Sequence, residues 1–259
     1  MADGESGLLL ASKALWAKKR TTEDGQQLWL PLVVHLDDTR RVINWLLNEW
    51  LSDGQRKLLY STMSADDAQK LIKFIGGTHD IGKATAAFQY QPSYTWNVNP
   101  DLDQALIEKL IQNGFPTLKG DEVSSPRSSP HARAGESILD WLGVPDTVST
   151  IIGGHHGKPE NSPSEVQHNI SDFTSNYWQD DTDATVQKHW RDVEKDIFKW
   201  ALHTSGYHFV DEIPEITEPQ AVILEGLLIM ADWLASSEFV DDNHPDSPMF
   251  PLITLNENA

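Results

Sequence analysis

Histidine and aspartate recur in this 259-residue sequence in settings that packing alone does not explain, and no cysteine competes with them for metals. The densest case is 79-HDIGK-83. An adjacent imidazole and carboxylate can bind two different ions, or one can hold an ion while the other bridges. Such donors suit Mn, Fe, Co, Ni and Zn, and the carboxylate also suits Mg. The second case is 153-GGHHGK-158, where glycines flanking His155 and His156 let a bent backbone approach an ion closely. Taken alone, that segment reads more often as a polar loop between helices. The third is Asp232 within 227-LLIMADWLA-235. A carboxylate buried ionised and unpaired costs roughly several kcal/mol, so Asp232 must face solvent, pair with a cation or bind a metal. His35 and His131 each fall on or beside an apolar helical face, where a hydrogen-bonded core histidine is the commoner outcome.

One motif is a decoy. Residues 77-GTHDIGKA-84 fit G-x-x-x-x-G-K, but Ala84 stands where a phosphate-binding loop needs Ser or Thr. The preceding segment also has the period of a helix rather than a strand. A nucleotide-binding loop is therefore rejected.

The elements that must position these side chains are helices. Apolar residues recur at helical spacing in 35–51 and in 64–80, where Ser64 is an N-cap candidate with acids in the first turn. Further helices are expected over 102–112, 131–142, 146–154 and 184–204, and after Thr217, with Gln220 completing a capping box. Ser129-Pro130 reads as a cap followed by proline at the first helical position. The only strand candidate is 28-LWLPLVV-34, weakened by Pro31. The expected fold class is all-α, a single helical domain over 1–239 with a loop insertion at about 92–130 and an acidic, proline-containing tail or linker at 240–259. Tryptophans 16, 45, 50, 141, 200 and 233 are expected in core packing, and His168, His189, His203, His208 and His244 in structural or solvent roles.

Net charge is −19 and unevenly spread: residues 1–157 carry 19 acidic and 15 basic side chains, residues 158–259 carry 20 and 5. Such a surface repels a phosphate backbone, so a self-sufficient nucleic-acid binder is disfavoured, and a nucleic-acid substrate would need another domain or subunit to deliver it. No stretch has the length and apolarity of a membrane span, and the N-terminus has charges in the reverse order of a secretory signal. With no cysteine for disulfides, a cytoplasmic location without membrane attachment is expected.

The order His35, His79-Asp80, His131, His155-His156, Asp232, with its local contexts, resembles the HD superfamily of metal-dependent phosphohydrolases. Within it, the strings LWAK at 15–18, LPLVVHLDDT at 30–39, HDIGKATAAFQ at 79–89, HARAG at 131–135 and ADWLASS at 231–237 resemble the HD nuclease domain of the CRISPR-associated nuclease-helicase of type I interference systems. The resemblance implies a helical domain with a central metal-binding cavity. It implies two divalent ions, the first held by His35, His79, Asp80 and Asp232, and the second by Asp80, His131, His155 and His156. Two cations about 3.5–4 Å apart would clamp the attacking and leaving oxygens of a phosphoryl displacement. Lys83 would stabilise charge developing on the phosphate, beside Asp80 as the central catalytic carboxylate.

The implied activity is metal-dependent cleavage of single-stranded DNA, by endo- or exonucleolytic action, in antiviral defence. Its implied partners are a helicase domain or subunit and an RNA-guided surveillance complex. His-rich ligation favours Mn, Co, Ni or Fe over Mg alone. The alternatives are an HD-type cyclic-dinucleotide or nucleotide phosphohydrolase, or a catalytically idle HD scaffold. The first is weakened because 155-HHGKPENSP-163 lacks an acidic residue directly after the histidine pair and has no GYP triplet.

Overall fold

The structure, a computed structural model, describes residues 7–93, 99–117, 123, 125–157, 162–238 and 249–257. Its elements run in chain order as α1 (Leu10–Ala14), β1 (Trp16–Thr21), β2 (Gln27–Pro31), α2 (Leu32–Glu49), α3 (Asp53–Leu59), α4 (Ala65–Thr78) and α5 (Ala86–Gln89). They continue as α6 (Pro100–Gln112), α7 (His131–Trp141), α8 (Asp146–Gly154), α9 (Pro163–Asp172), α10 (Thr174–Trp178), α11 (Ala184–Ser205), α12 (Glu218–Ala235) and β3 (Ile253–Thr254). A 3-10 turn at Ile81–Lys83 follows α4.

Local chemistry sets the boundaries of the longer helices. The Ser64 hydroxyl accepts from the Asp67 amide to start α4. Asp183 accepts from the Thr185 and Val186 amides to start α11, and Gly206, left-handed at φ 98°, ends it. At α12 the Thr217 amide donates to Gln220 Oε1 at 2.9 Å, while Gln220 Nε2 donates to the Leu59 carbonyl at 2.7 Å. This fastens the first turn of α12 beside α3, so that α12 runs back along α2 and its far end reaches the start of α2.

The packed centre is α2 against α4 and α12, with α11 on the other side of α4 and α7 against α8, α9 and the 3-10 turn. Fully buried Leu36, Ile43, Leu71, Ile75, Ile138, Ile197 and Leu228 fill the space between. Close approach is built into the backbone here. A Cβ on Gly76 of α4 would lie 2.9 Å from the Arg40 Cα of α2, so only glycine lets these two helices come this near.

The mostly helical architecture agrees with the sequence expectation, and every helix expected from periodicity is present. The sheet is a correction. A three-stranded antiparallel sheet of order β1-β2-β3 forms at one side. Strand β2 ends at Pro31, where a missing amide costs nothing, but β1 gave no alternating pattern because Lys18, Lys19 and Arg20 occupy it. Residues 240–248 and 258–259 of the expected tail lie outside the described residues. The described stretch 249–257 includes β3, which pairs with β2 through Leu28–Thr254 and Trp29–Ile253. The cap of α7 also shifts by one residue: Pro130 itself is the N-cap, and no side chain caps it.

Four of the six tryptophans assigned to the core are exposed: Trp45, Trp50, Trp141 and Trp233. Trp16 and Trp200 are buried. Helical phase explains two of the four. Ile43 and Leu47 are turned inward on α2, so Trp45 between them points out, as does Trp233 next to inward-facing Asp232. Among the described residues, no helix is long and apolar enough to cross a membrane.

Candidate metal centre

The helix ends bring all seven expected donors together. His35 comes from the first turn of α2, His79 caps α4, and Asp80 follows it into the 3-10 turn. His131 opens α7, His155 caps α8 with His156 next to it, and Asp232 sits in the last turn of α12. Their donor atoms form two groups: His35, His79, Asp80 and Asp232, and Asp80, His131, His155 and His156. Within each group all ligand atoms lie within 4.8 Å of one another. These are the same two sets that the resemblance implied.

Asp80 belongs to both groups through different oxygens. Its Oδ2 lies 3.1 Å from His35 Nε2 and 3.4 Å from His79 Nε2, whereas its Oδ1 lies 3.5 Å from His131 Nε2 and 3.7 Å from His155 Nε2. Asp232 Oδ1 is 3.2 Å from His35 Nε2 and 3.5 Å from His79 Nε2, and it accepts from the Ser236 hydroxyl at 3.1 Å. The adjacent rings of His155 and His156 stand 4.1 Å apart, and His156, alone of the seven, is exposed.

Two of the imidazoles are oriented by their own helices. His79 Nδ1 meets the Gly76 carbonyl at 2.9 Å and His155 Nδ1 meets the Ile152 carbonyl at 2.5 Å. A carbonyl only accepts, so each Nδ1 carries a proton and each Nε2 is the nitrogen turned to the centre for ligation. The Nε2 atoms of His35, His79, His131 and His155 and Oδ1 of Asp80 are buried, yet make no hydrogen bond of acceptable geometry. Five buried polar atoms left unsatisfied in one spot would be costly without a guest, and converging imidazole and carboxylate lone pairs fit divalent cations. The donor set therefore suits the ions that the sequence implied.

The electrostatics favour positive charge at the centre. Burial works against charge on Asp80, but Lys83 and His79 outweigh it and hold its carboxyl well below the usual range. Asp232 is likewise held low against burial, by His35 and His79. His79 is the exception: the Asp80 and Asp232 carboxylates outweigh its burial and raise it to about 9, so without a cation its Nε2 holds a proton that an incoming ion must displace. Burial lowers His131 to about 4 and also lowers His35 and His156, which keeps these three neutral as ligands must be. Lys83, expected to reach a phosphate, is buried with its Nζ 2.6 Å from Asp80 Oδ2.

Sequence reasoning found the donors but gave no role to the residues that support them. Gln89 Oε1 accepts from the Trp16 amide at 3.1 Å, and its Nε2 donates to the Trp16 and Lys83 carbonyls at 2.9 and 2.8 Å. This one buried amide joins β1 to the turn that carries Asp80. Its signal was present as the FQ that follows HDIGKATAA, and that of Ser236 as the end of ADWLASS.

A family model for the Cas3 HD domain matches residues 16–240 of this chain. The chain belongs to the Cas3 HD domain family. It is 40% identical over 248 residues to the CRISPR-associated nuclease/helicase Cas3 of Streptococcus thermophilus, a match covering 93% of this chain and 25% of that protein. Crystal structures of T. fusca Cas3 superpose with a TM-score of 0.61 at 26% identity, covering 89% of this chain and 23% of the other, and its ADP form gives 0.62. This HD domain thus spans about a quarter of the length of those relatives. The motifs that carried the resemblance lie inside the matched span, apart from Leu15. The strings LWAK and HDIGKATAAFQ, which carried the resemblance, are joined in the folded domain, because Gln89 stitches one to the other.

Proposed function

We propose that this HD domain is a metal-dependent phosphodiesterase that cleaves single-stranded DNA. It would act in CRISPR interference beside a helicase domain or subunit and an RNA-guided surveillance complex. The observation that carries the reading is Asp80, whose two oxygens each face a separate set of His and Asp donors. Two divalent cations held there, Mn, Co, Ni or Fe rather than Mg alone, would supply Lewis-acid polarisation of the diester and an activated water.

The chain's own residues would do the rest. Asp80 gives one oxygen to each set and fixes the spacing between them. His79 and His155, whose Nδ1–H groups donate to carbonyls of their own helices, keep Nε2 aimed at the centre without rotamer freedom to lose. The Ser236 hydroxyl steadies Asp232. Lys83 bonds Asp80 Oδ2 and stands with its Nζ 5.4 Å from the centre of the Phe88 ring, a short swing from charge developing on a phosphate oxygen. Acidity elsewhere in the chain fits a nuclease to which another domain hands the strand.

The test compares single-stranded DNA, cyclic dinucleotides and deoxynucleoside triphosphates with Mn, Co, Ni and Mg, together with metal analysis of the purified protein. Metal-stimulated hydrolysis of single-stranded DNA is expected. Asp80→Ala should abolish both metal loading and cleavage. Preference for a cyclic dinucleotide or a triphosphate would replace the nuclease reading, and metal-stimulated cleavage by Asp80→Ala would end the two-set assignment.

A further inference from the structure

A cavity of about 410 Å³ opens on β1, with Trp16, Lys18, Lys19, Arg20, Phe88 and Glu238 among its walls. Phe88 is shared with the candidate centre. Its ring packs edge-on against His131 at 5.6 Å and tilted against Trp16 at 4.5 Å, so the cavity and the donor cluster lie on either side of one aromatic side chain. The volume falls within the roughly 300–1,000 Å³ typical of small-molecule sites.

The three cations of β1 are not equivalent. Lys19 is neutralised by Asp103 at 2.7 Å and donates to the Gln91 carbonyl at 2.6 Å, and Arg20 is neutralised by Glu238 at 2.6 Å. Lys18 precedes them in the strand, half-buried, and its side chain makes no hydrogen bond or ion pair among the described residues. It is close enough to the centre to feel the charges of Lys83, Asp232 and Asp80. An ammonium removed from water without a partner is costly. Divalent ions in the donor sets would increase the local positive charge further. Of the three cations Lys18 alone has no carboxylate bonded to it and is left to take an anion from outside, and the neighbouring aromatic wall suits the face of a nucleobase.

We propose that this cavity holds the nucleotide adjacent to the scissile diester of a polynucleotide strand, with Lys18 binding its phosphate. The assignment rests on the phosphodiesterase reading above. It makes β1 the route by which an otherwise acidic domain grips its substrate, and it sets a polynucleotide apart from a minimal diester, which has no neighbouring phosphate to offer.

The test uses the 259-residue chain with Lys18→Met, which keeps most of the alkyl stem, and Lys18→Arg, which keeps the charge. Anisotropy of a labelled oligo-dT of about ten nucleotides, with chelator-treated protein at low salt, reads binding apart from turnover. Lys18→Met should weaken binding about tenfold and reduce the log–log salt slope by about 0.7, the value for one single-strand phosphate contact, and Lys18→Arg should restore both. With Mn, cleavage efficiency of Lys18→Met on oligo-dT should fall about five times further than on bis(p-nitrophenyl) phosphate.

Binding by Lys18→Met equal to that of the unsubstituted chain, or equal losses on the two substrates, would overturn the proposal. The two readings separate cleanly. Lys18-dependent binding without hydrolysis of either substrate would sink the phosphodiesterase and leave the groove. Oligo-dT cleavage indifferent to Lys18 would do the reverse.

Discussion

Gly82 of the HDIGK turn sits directly against the His131 backbone: a Cβ built on Gly82 would lie 1.9 Å from the His131 carbonyl oxygen and 2.5 Å from the Gly135 amide nitrogen. The contact is backbone to backbone, so no side chain can swing aside to relieve it. It sets how far His131 stands from Asp80, and hence the size of the second donor set. Gly82→Ala should cost on the order of 1–3 kcal/mol of stability. Because the strain falls on His131, metal analysis should show the second set emptied before the first. A variant with unchanged melting and full metal content would show that α7 yields freely.

The shared carboxylate divides the centre into separable halves. Asp232→Asn weakens only the first set and His156→Ala only the second, so each should reduce the metal content of the purified protein from two equivalents toward one. Asp80→Ala should reduce it toward none. Equal loss in all three variants would mean one indivisible site.

Lys83 lies against Asp80 Oδ2 but belongs to neither donor set. Lys83→Ala should slow turnover by about a hundredfold, the order seen when one transition-state donor is removed, while metal content stays as it was. Loss of metal from this variant would assign Lys83 to support of Asp80 instead.

A carboxyl outside the donor sets, Glu194, adds a pH dependence of its own to stability. Glu194 of α11 is fully buried and accepts from Trp178 Nε1 at 3.0 and 3.2 Å. Burial pushes its carboxyl up from 4.5 to about 8. The folded state therefore holds a proton that the unfolded chain releases. Its contribution to stability is complete below about pH 4.5, declines as pH rises, and is lost once pH passes about 8. Glu194→Gln should flatten this slope, matching the parent near pH 5 and melting several degrees higher near pH 9. Parallel melting curves across that range would contradict the burial argument.

The helices and all seven donors were readable in the sequence because both signals are local. Apolar periodicity marks a helix, and a His or Asp in an apolar setting calls for a partner wherever it folds. What stayed hidden depends on contacts between distant segments. Lys18, Lys19 and Arg20 look like a solvated basic run, yet they form a strand because β2 pairs beside them and Gln89 anchors its start. Trp45 and Trp233 carry the composition of core residues, but their phase relative to Ile43 and Asp232 turns them outward. That Asp80 serves both sets came from the resemblance. No spacing within the chain reveals which of its oxygens faces which histidine.

The first donor set joins His35, near the start of the domain, to Asp232, in the last turn of its final long helix. During synthesis on the ribosome, α12 emerges after every other helix of the bundle. A nascent chain could display His79, Asp80 and the second set for some time and still lack the carboxylate that closes the first. Completion of the first set is thereby withheld from unfinished chains until the last long helix has emerged and packed against α2.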